Sequence, residues 1–178
     1  MLKKKSLAQH FLRDPRILKK IVDAAKLTGA DTVLEVGPGE GTLTALLLER
    51  AGRVIAVERD DRLIPLLRQT FAREMAAGRL ELIHADILTL PTNYSLLTTN
   101  YKVVANLPYY ITGQFLRTFL SREQQPSSMT LLLQKEVAKR IVAADGRESL
   151  LSISVKACGT PRYVDTVKAG SFSPPPKV

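Results

Sequence analysis

Short apolar runs of strand length alternate along the chain with longer stretches in which apolar residues recur at three- and four-residue spacing. Ile17 to Ala25 (ILKKIVDAA) has the helical spacing, with Asp14 and Pro15 in the N-cap and first-turn positions that favour those residue types. Thr32 to Val36 (TVLEV) reads as a short buried strand ending at Gly37, and Leu43 to Arg50 resumes as a helix. Arg53 to Val57 is a second strand, Leu63 to Ala76 a helical stretch and Leu80 to His84 an alternating third strand. Tyr101 to Ala105 is a fourth strand, followed by the loop NLPYYITG and a helix near Gln114 to Leu120. Met129 to Gln134 reads as a fifth strand and Val137 to Ala143 as a helix, while Ser152 to Ala157 and Tyr163 to Lys168 read as late strands of a closing hairpin. Strands alternating with helices at this spacing predict one α/β domain, with a mostly parallel sheet, helices on both faces and ligands at the carboxyl ends of the strands.

Composition agrees with one folded domain: 178 residues, 45% hydrophobic and 24% charged. No apolar run approaches the ~18 to 20 residues of a membrane span, and the basic start MLKKKSLAQHFL lacks the apolar core and cleavage site of a secretory signal. A single cysteine, Cys158, cannot form an internal disulfide, which fits a reducing, cytoplasmic setting. With only His10 and His84 beside it, a His/Cys metal site has too few ligands, so no metal is expected.

The net charge of +9 is unevenly spread. Residues 1–26 carry +6, residues 27–134 carry −1 and residues 135–178 carry +4. A neutral centre between two cationic flanks is the distribution of a polyanion binder if the flanks converge, and otherwise only two solvated faces.

Gly37-Pro38-Gly39-Glu40-Gly41 lies between the first strand and its helix, where glycine lets the backbone come close to a ligand. The dinucleotide fingerprint needs glycine at position 42, where Thr42 stands. Glu58 ends the second strand, 17 residues past Gly41, where a carboxylate can accept hydrogen bonds from ribose hydroxyls. Together these imply a nucleoside, from a nicotinamide dinucleotide or from S-adenosylmethionine. Asp86 ends the third strand, where it can accept from an exocyclic adenine amino group or cap the next turn. Glu35 is a carboxylate inside an apolar strand, which costs desolvation energy unless it is paired, and a ligand ammonium would pair it.

Asn106-Leu107-Pro108-Tyr109 follows the fourth strand. An adenine amino nitrogen is a poor nucleophile because its lone pair is delocalised into the ring. The Asn106 side-chain oxygen and the Leu107 carbonyl can each accept one of its N–H groups, turning the lone pair towards a methyl donor without a strong base. Pro108 biases Leu107 to an extended backbone, and Tyr109 offers a flat face to an unstacked base.

Taken with Ala8-Gln9-His10-Phe11-Leu12, LQKEVAKRI at Leu133 to Ile141 and FSPPPKV at Phe172 to Val178, these motifs resemble the KsgA-type ribosomal RNA adenine dimethyltransferases along nearly the whole chain. The resemblance implies a Rossmann-like class I fold that uses S-adenosylmethionine to dimethylate N6 of two adjacent adenosines near the 3′ end of small-subunit ribosomal RNA. It places Gln9, His10, Leu12, Glu35, Gly37, Gly39, Glu58, Asp86, Ile87 and Asn106 around the cofactor. Asn106, Leu107, Pro108 and Tyr109 are placed around the target base, with Phe172 on the base's other face. It further implies a monomer acting on small-subunit ribosomal RNA or a pre-30S particle, with no membrane or metal.

The sequence departs from that family's pattern at Ala8, where glycine is usual, at Glu148 to Ser152, which lacks an aromatic-glycine pair, and at Val178, ahead of a last strand and a small helical domain. The macrolide-resistance methyltransferases of large-subunit RNA share nearly all these motifs, and Gln134-Lys135-Glu136 favours the small-subunit branch. A non-catalytic RNA-binding assembly factor would suit the basic flanks too, and the intact Asn106, Pro108 and Tyr109 argue against it.

Overall fold

The computed structural model describes residues 11–90, 100–144 and 146–175. Five parallel strands form the central sheet: β2 (Thr32–Val36), β3 (Arg53–Glu58), β4 (Leu80–His84), β5 (Tyr101–Asn106) and β6 (Ser128–Leu132), in the order β4-β3-β2-β5-β6. A second, two-stranded antiparallel ribbon pairs β1 (Phe11–Leu12) with β7 (Phe172–Ser173).

The period of two in a strand sorts the apolar side chains onto two faces. Val33, Val54, Ala56 and Val104 face one core, filled by Leu18 and Val22 of α1 (Pro15–Ala25), Leu43 and Leu47 of α2 (Thr42–Arg50) and Leu67 of α3 (Ile64–Thr70). Leu34, Ile55, Val57 and Val103 face the other, against Phe115 and Phe119 of α5 (Thr112–Leu120). Both faces being covered explains the unbroken apolar runs Val33–Leu34 in β2 and Val54–Val57 in β3.

Asp14 caps α1 as expected: its carboxylate accepts the Arg16 N–H at 3.0 Å, with Pro15 in the first turn. The stretch expected as one helix from Leu63 to Ala76 is two, α3 and α4 (Ala72–Ala76), because Phe71 leaves helical geometry at φ −112° and ψ 27° and buries its ring.

The expected closing hairpin is not formed. Leu150–Cys158 is a helix, α7, because Ser149 and Ser152 exchange side-chain to backbone hydrogen bonds in a capping box, a start signal that outweighs the strand-like ISV. Residues 163–168 pair with no strand among the described residues. Instead Lys20 of α1 pairs with Asp165, the Tyr163 and Thr166 hydroxyls meet at 2.9 Å and Val167 packs on the first core. Between β6 and α7 lies α6 (Lys135–Val142), amphipathic and anchored by buried Ile141. Among the described residues no helix is long and apolar enough to cross a membrane.

Candidate functional site

Strand order reverses between β2 and β5, since β3 and β4 extend the sheet one way and β6 the other. Ligands of open α/β sheets bind at the carboxyl ends around such a switch point. The register aligns Val36 with Ala105 and with Val57, so Gly37, Asn106 and Glu58 leave the sheet side by side. A cavity of about 340 Å³ opens there, within the size range of small-ligand pockets.

The glycine loop forms its floor. Gly37, Gly39 and Gly41 have φ of +69°, +61° and +86°, a region that costs other residues strain. The third glycine has a further reason: a Cβ on Gly41 would sit 2.5 Å from the Phe71 ring, so that close packing rather than a ligand demands it.

Glu58 is buried at the end of β3, and its carboxylate is held by three backbone donors. Oε1 accepts the Arg59 and Asp60 N–H groups, each at 2.8 Å, and Oε2 accepts the Gly39 N–H at 3.1 Å. Those bonds aim the side chain across the loop and leave acceptor capacity on Oε2 facing the cavity it lines. Asp86 does both things open to it: Oδ1 caps the turn at Ile87–Thr89 through the Leu88 N–H at 3.0 Å, and the residue lines the cavity beside Ile87.

The opposite wall is Asn106, Leu107, Pro108 and Tyr109. Leu107 packs its side chain into the second core, and its N–H bonds to the Leu132 carbonyl at 3.3 Å, which ties this loop to β6. Tyr109 opens a short 3-10 turn, and partial burial raises its hydroxyl above the usual tyrosine range.

The ribbon of β1 and β7 closes the rim. It brings Phe172 to the cavity, and with it Phe11, which pairs with Ser173 and lies over Gly39. Arg13 joins this ribbon to the glycine loop through both carboxylate oxygens of Glu40, at 2.8 Å each. Phe11, Arg59 and Tyr110 also line the cavity. The sequence marks Phe11 and Tyr110 only as members of quoted motifs, without a site role, and Arg59 only as the neighbour of Glu58.

Two expected cofactor residues are set back. Leu12 is buried in the first core and borders an adjoining cavity of about 40 Å³. Glu35 is 1% exposed beneath the loop, beside the equally buried Thr44 hydroxyl. Burial pushes the Glu35 carboxyl up to about 8, Thr44 opposing this and Glu58 adding to it. Gln9 and His10 lie outside the described residues. Among the described residues no group of three or more His, Cys, Asp or Glu is gathered as a metal site.

The family model for ribosomal RNA adenine dimethylase matches residues 1–178. The chain belongs to the ribosomal RNA adenine dimethylase family. Within that family it is 51% identical over 176 residues to ribosomal RNA small subunit methyltransferase A of Dehalococcoides mccartyi, a match covering 98% of this chain and 60% of that protein. It is 43% identical over 177 residues to the protein of that name from Caulobacter vibrioides, covering 98% of this chain and 67% of the relative. A dimethyladenosine transferase structure from Plasmodium falciparum superposes with a TM-score of 0.78 at 33% identity, over 94% of this chain and 60% of that one. The 23S rRNA methyltransferase ErmE superposes with a TM-score of 0.81 at 31% identity, over 94% of this chain and 66% of that one. The fold of this dimethylase-family chain is that of the class I S-adenosylmethionine-dependent methyltransferases.

Proposed function

We propose that this domain transfers methyl groups from S-adenosylmethionine to N6 of two adjacent adenosines in small-subunit ribosomal RNA, as a cytoplasmic monomer. The observation that carries the reading is the meeting of two walls on one cavity: the glycine loop with Glu58, and the Asn106 to Tyr109 loop. The first wall fits an adenosyl cofactor. Its left-handed glycines open the backbone to close approach, and a Cβ on Gly37 would meet no heavy atom within 4 Å, leaving room above the loop. Buried Glu58 suits ribose hydroxyls, and Asp86 at the far side suits an amino group.

When bound, the cofactor supplies an electrophilic methyl group. The chain's own residues prepare the acceptor. The Asn106 side-chain oxygen and the Leu107 carbonyl each accept a hydrogen bond from an N6–H, which draws the nitrogen lone pair out of the ring and aims it along the cavity; as the methyl group joins N6, one N6 proton leaves to solvent. Tyr109 and Phe172 hold the unstacked base, the first from the 3-10 turn and the second from the closing ribbon. Pro108, at φ −56° and ψ 134°, fixes the turn between the accepting groups and the stacking ring.

The cationic flanks supply the RNA contact. Arg16, Lys19 and Lys20 on α1 and Lys135, Lys139 and Arg140 on α6 are exposed, and the Lys20–Asp165 pair ties α1 to the C-terminal flank. The small-subunit target follows the names of the most similar relatives above. ErmE, with a comparable superposition, makes large-subunit RNA the competing substrate. Incubating the protein with methyl-labelled S-adenosylmethionine and, in parallel, unmethylated small subunits, large-subunit RNA and DNA tests both points. Label in adenosines of small-subunit RNA is expected. Label only in large-subunit RNA overturns the target, and no label in any substrate overturns the activity.

A further inference from the structure

Among the described residues, Arg59 contacts both carboxylates of the proposed cofactor wall. Its backbone N–H donates to Glu58 Oε1 at 2.8 Å, and its guanidinium Nη1 lies 3.1 Å from Asp86 Oδ2. The other Asp86 oxygen accepts the Leu88 N–H at 3.0 Å, so the carboxylate is anchored at both ends while it lines the cavity. An exposed ion pair of this kind adds little to stability, and Arg59 is 56% exposed. Its consequence is orientation. A carboxylate only accepts hydrogen bonds. A purine with a 6-amino group donates to it, whereas a 6-oxo purine presents lone pairs to a fixed negative charge and leaves it unpaired.

We infer that Arg59 is a positioning and specificity-determining residue, holding Asp86 so that the cavity selects an adenosyl over an inosyl ligand. The inference rests on the reading that this cavity takes S-adenosylmethionine. With Arg59 removed, Asp86 is free to turn away from the cavity, and the preference collapses.

Calorimetric titration with S-adenosylhomocysteine and with S-inosylhomocysteine, on wild type, Arg59→Met and Arg59→Lys, tests this. Wild type is expected to prefer the adenosyl ligand by at least ~10-fold, about the worth of one charge-assisted hydrogen bond. Arg59→Met should bring the ratio of the two affinities close to one, chiefly by weakening the adenosyl ligand, with its melting temperature unchanged. Arg59→Lys should recover part of the ratio, since a cation still faces Asp86. A purely structural role would lower both affinities equally, so an unmoved ratio in Arg59→Met overturns the role of Arg59 while leaving the cofactor reading in place. Wild-type protein that binds neither ligand overturns the cofactor reading and this inference together.

Discussion

The ring of Phe11 lies so close over Gly39 that a Cβ there would sit 3.0 Å from two of its carbons, Cδ1 and Cε1. Through this contact the first described strand of the chain covers the loop that floors the cavity. The same strand is stitched to residues near the other end, Phe11 pairing with Ser173 and Leu12 with Phe172. The glycine loop and the Asn106–Tyr109 loop therefore line one cavity that a single ribbon closes.

Substituting Gly39→Ala should weaken S-adenosylhomocysteine binding by at least ~10-fold and destabilise the protein by about 1–2 kcal/mol, the usual penalty for a Cβ in the left-handed region. The φ of +61° sets the stability cost, and displacement of Phe11 sets the binding cost. Adding Phe11→Ala relieves the crowding but not the dihedral strain, so the double variant should not regain wild-type stability. Calorimetry and urea denaturation read the two quantities separately. A Gly39→Ala protein with wild-type affinity would show that Phe11 and the loop do not cooperate.

Gly41→Ala should be a folding mutant rather than a binding mutant. Its Cβ would lie 2.5 Å from Phe71 Cε2 and 2.9 Å from Cζ, inside a packed core, at a φ of +86°. Overpacking and strain together predict a loss of about 2–4 kcal/mol. Replacing Phe71 with Leu in the same chain removes the clash, so the pair should lose less than the sum of the single variants. Additive losses by urea denaturation would contradict the packing explanation for the third glycine.

Periodicity located the five central strands and the helices that cover them, because one-sided burial leaves a direct imprint on residue order. It failed where the deciding interaction was polar or distant. The helix at Leu150–Cys158 depends on a reciprocal bond between Ser149 and Ser152, and the break at Phe71 depends on the loop it packs against. The ribbon of Phe11–Leu12 with Phe172–Ser173 joins segments some 160 residues apart through two-residue strands too short to show a period. In the site, Glu58, Asp86 and the Asn106 loop were legible because strand ends in a parallel sheet share an edge. The bridging by Arg59 was not, since it depends on which way a side chain leaves the strand end.

Asn106→Ala should separate binding from chemistry. Removing an acceptor that polarises the reacting amine is expected to cost at least ~100-fold in kcat, by analogy with the loss of one preorganised hydrogen bond. Affinity for S-adenosylhomocysteine should change by less than ~10-fold, because the Glu58 and Asp86 wall is untouched. Single-turnover methyl transfer and calorimetry measure the two effects. Wild-type turnover in the variant would remove Asn106 from the mechanism.

Glu35→Gln should change how stability depends on pH. Burial raises the Glu35 carboxyl from 4.5 to about 8, so between those values the unfolded chain ionises while the folded, cofactor-free protein keeps the proton. The folded state then binds more protons than the unfolded one, and stability falls as pH rises through this window. The contribution is complete below 4.5 and lost once the pH has passed 8. A single group can impose a slope of at most about 1.4 kcal/mol per pH unit. Glutamine keeps the shape and has no proton to lose, so the variant should show a flatter profile and exceed wild type in stability at the alkaline end. All other ionisable groups are present in both proteins and cancel in the comparison. Urea denaturation at steps across the window reads the difference directly, and parallel profiles would mean that Glu35 is already ionised or paired inside the fold.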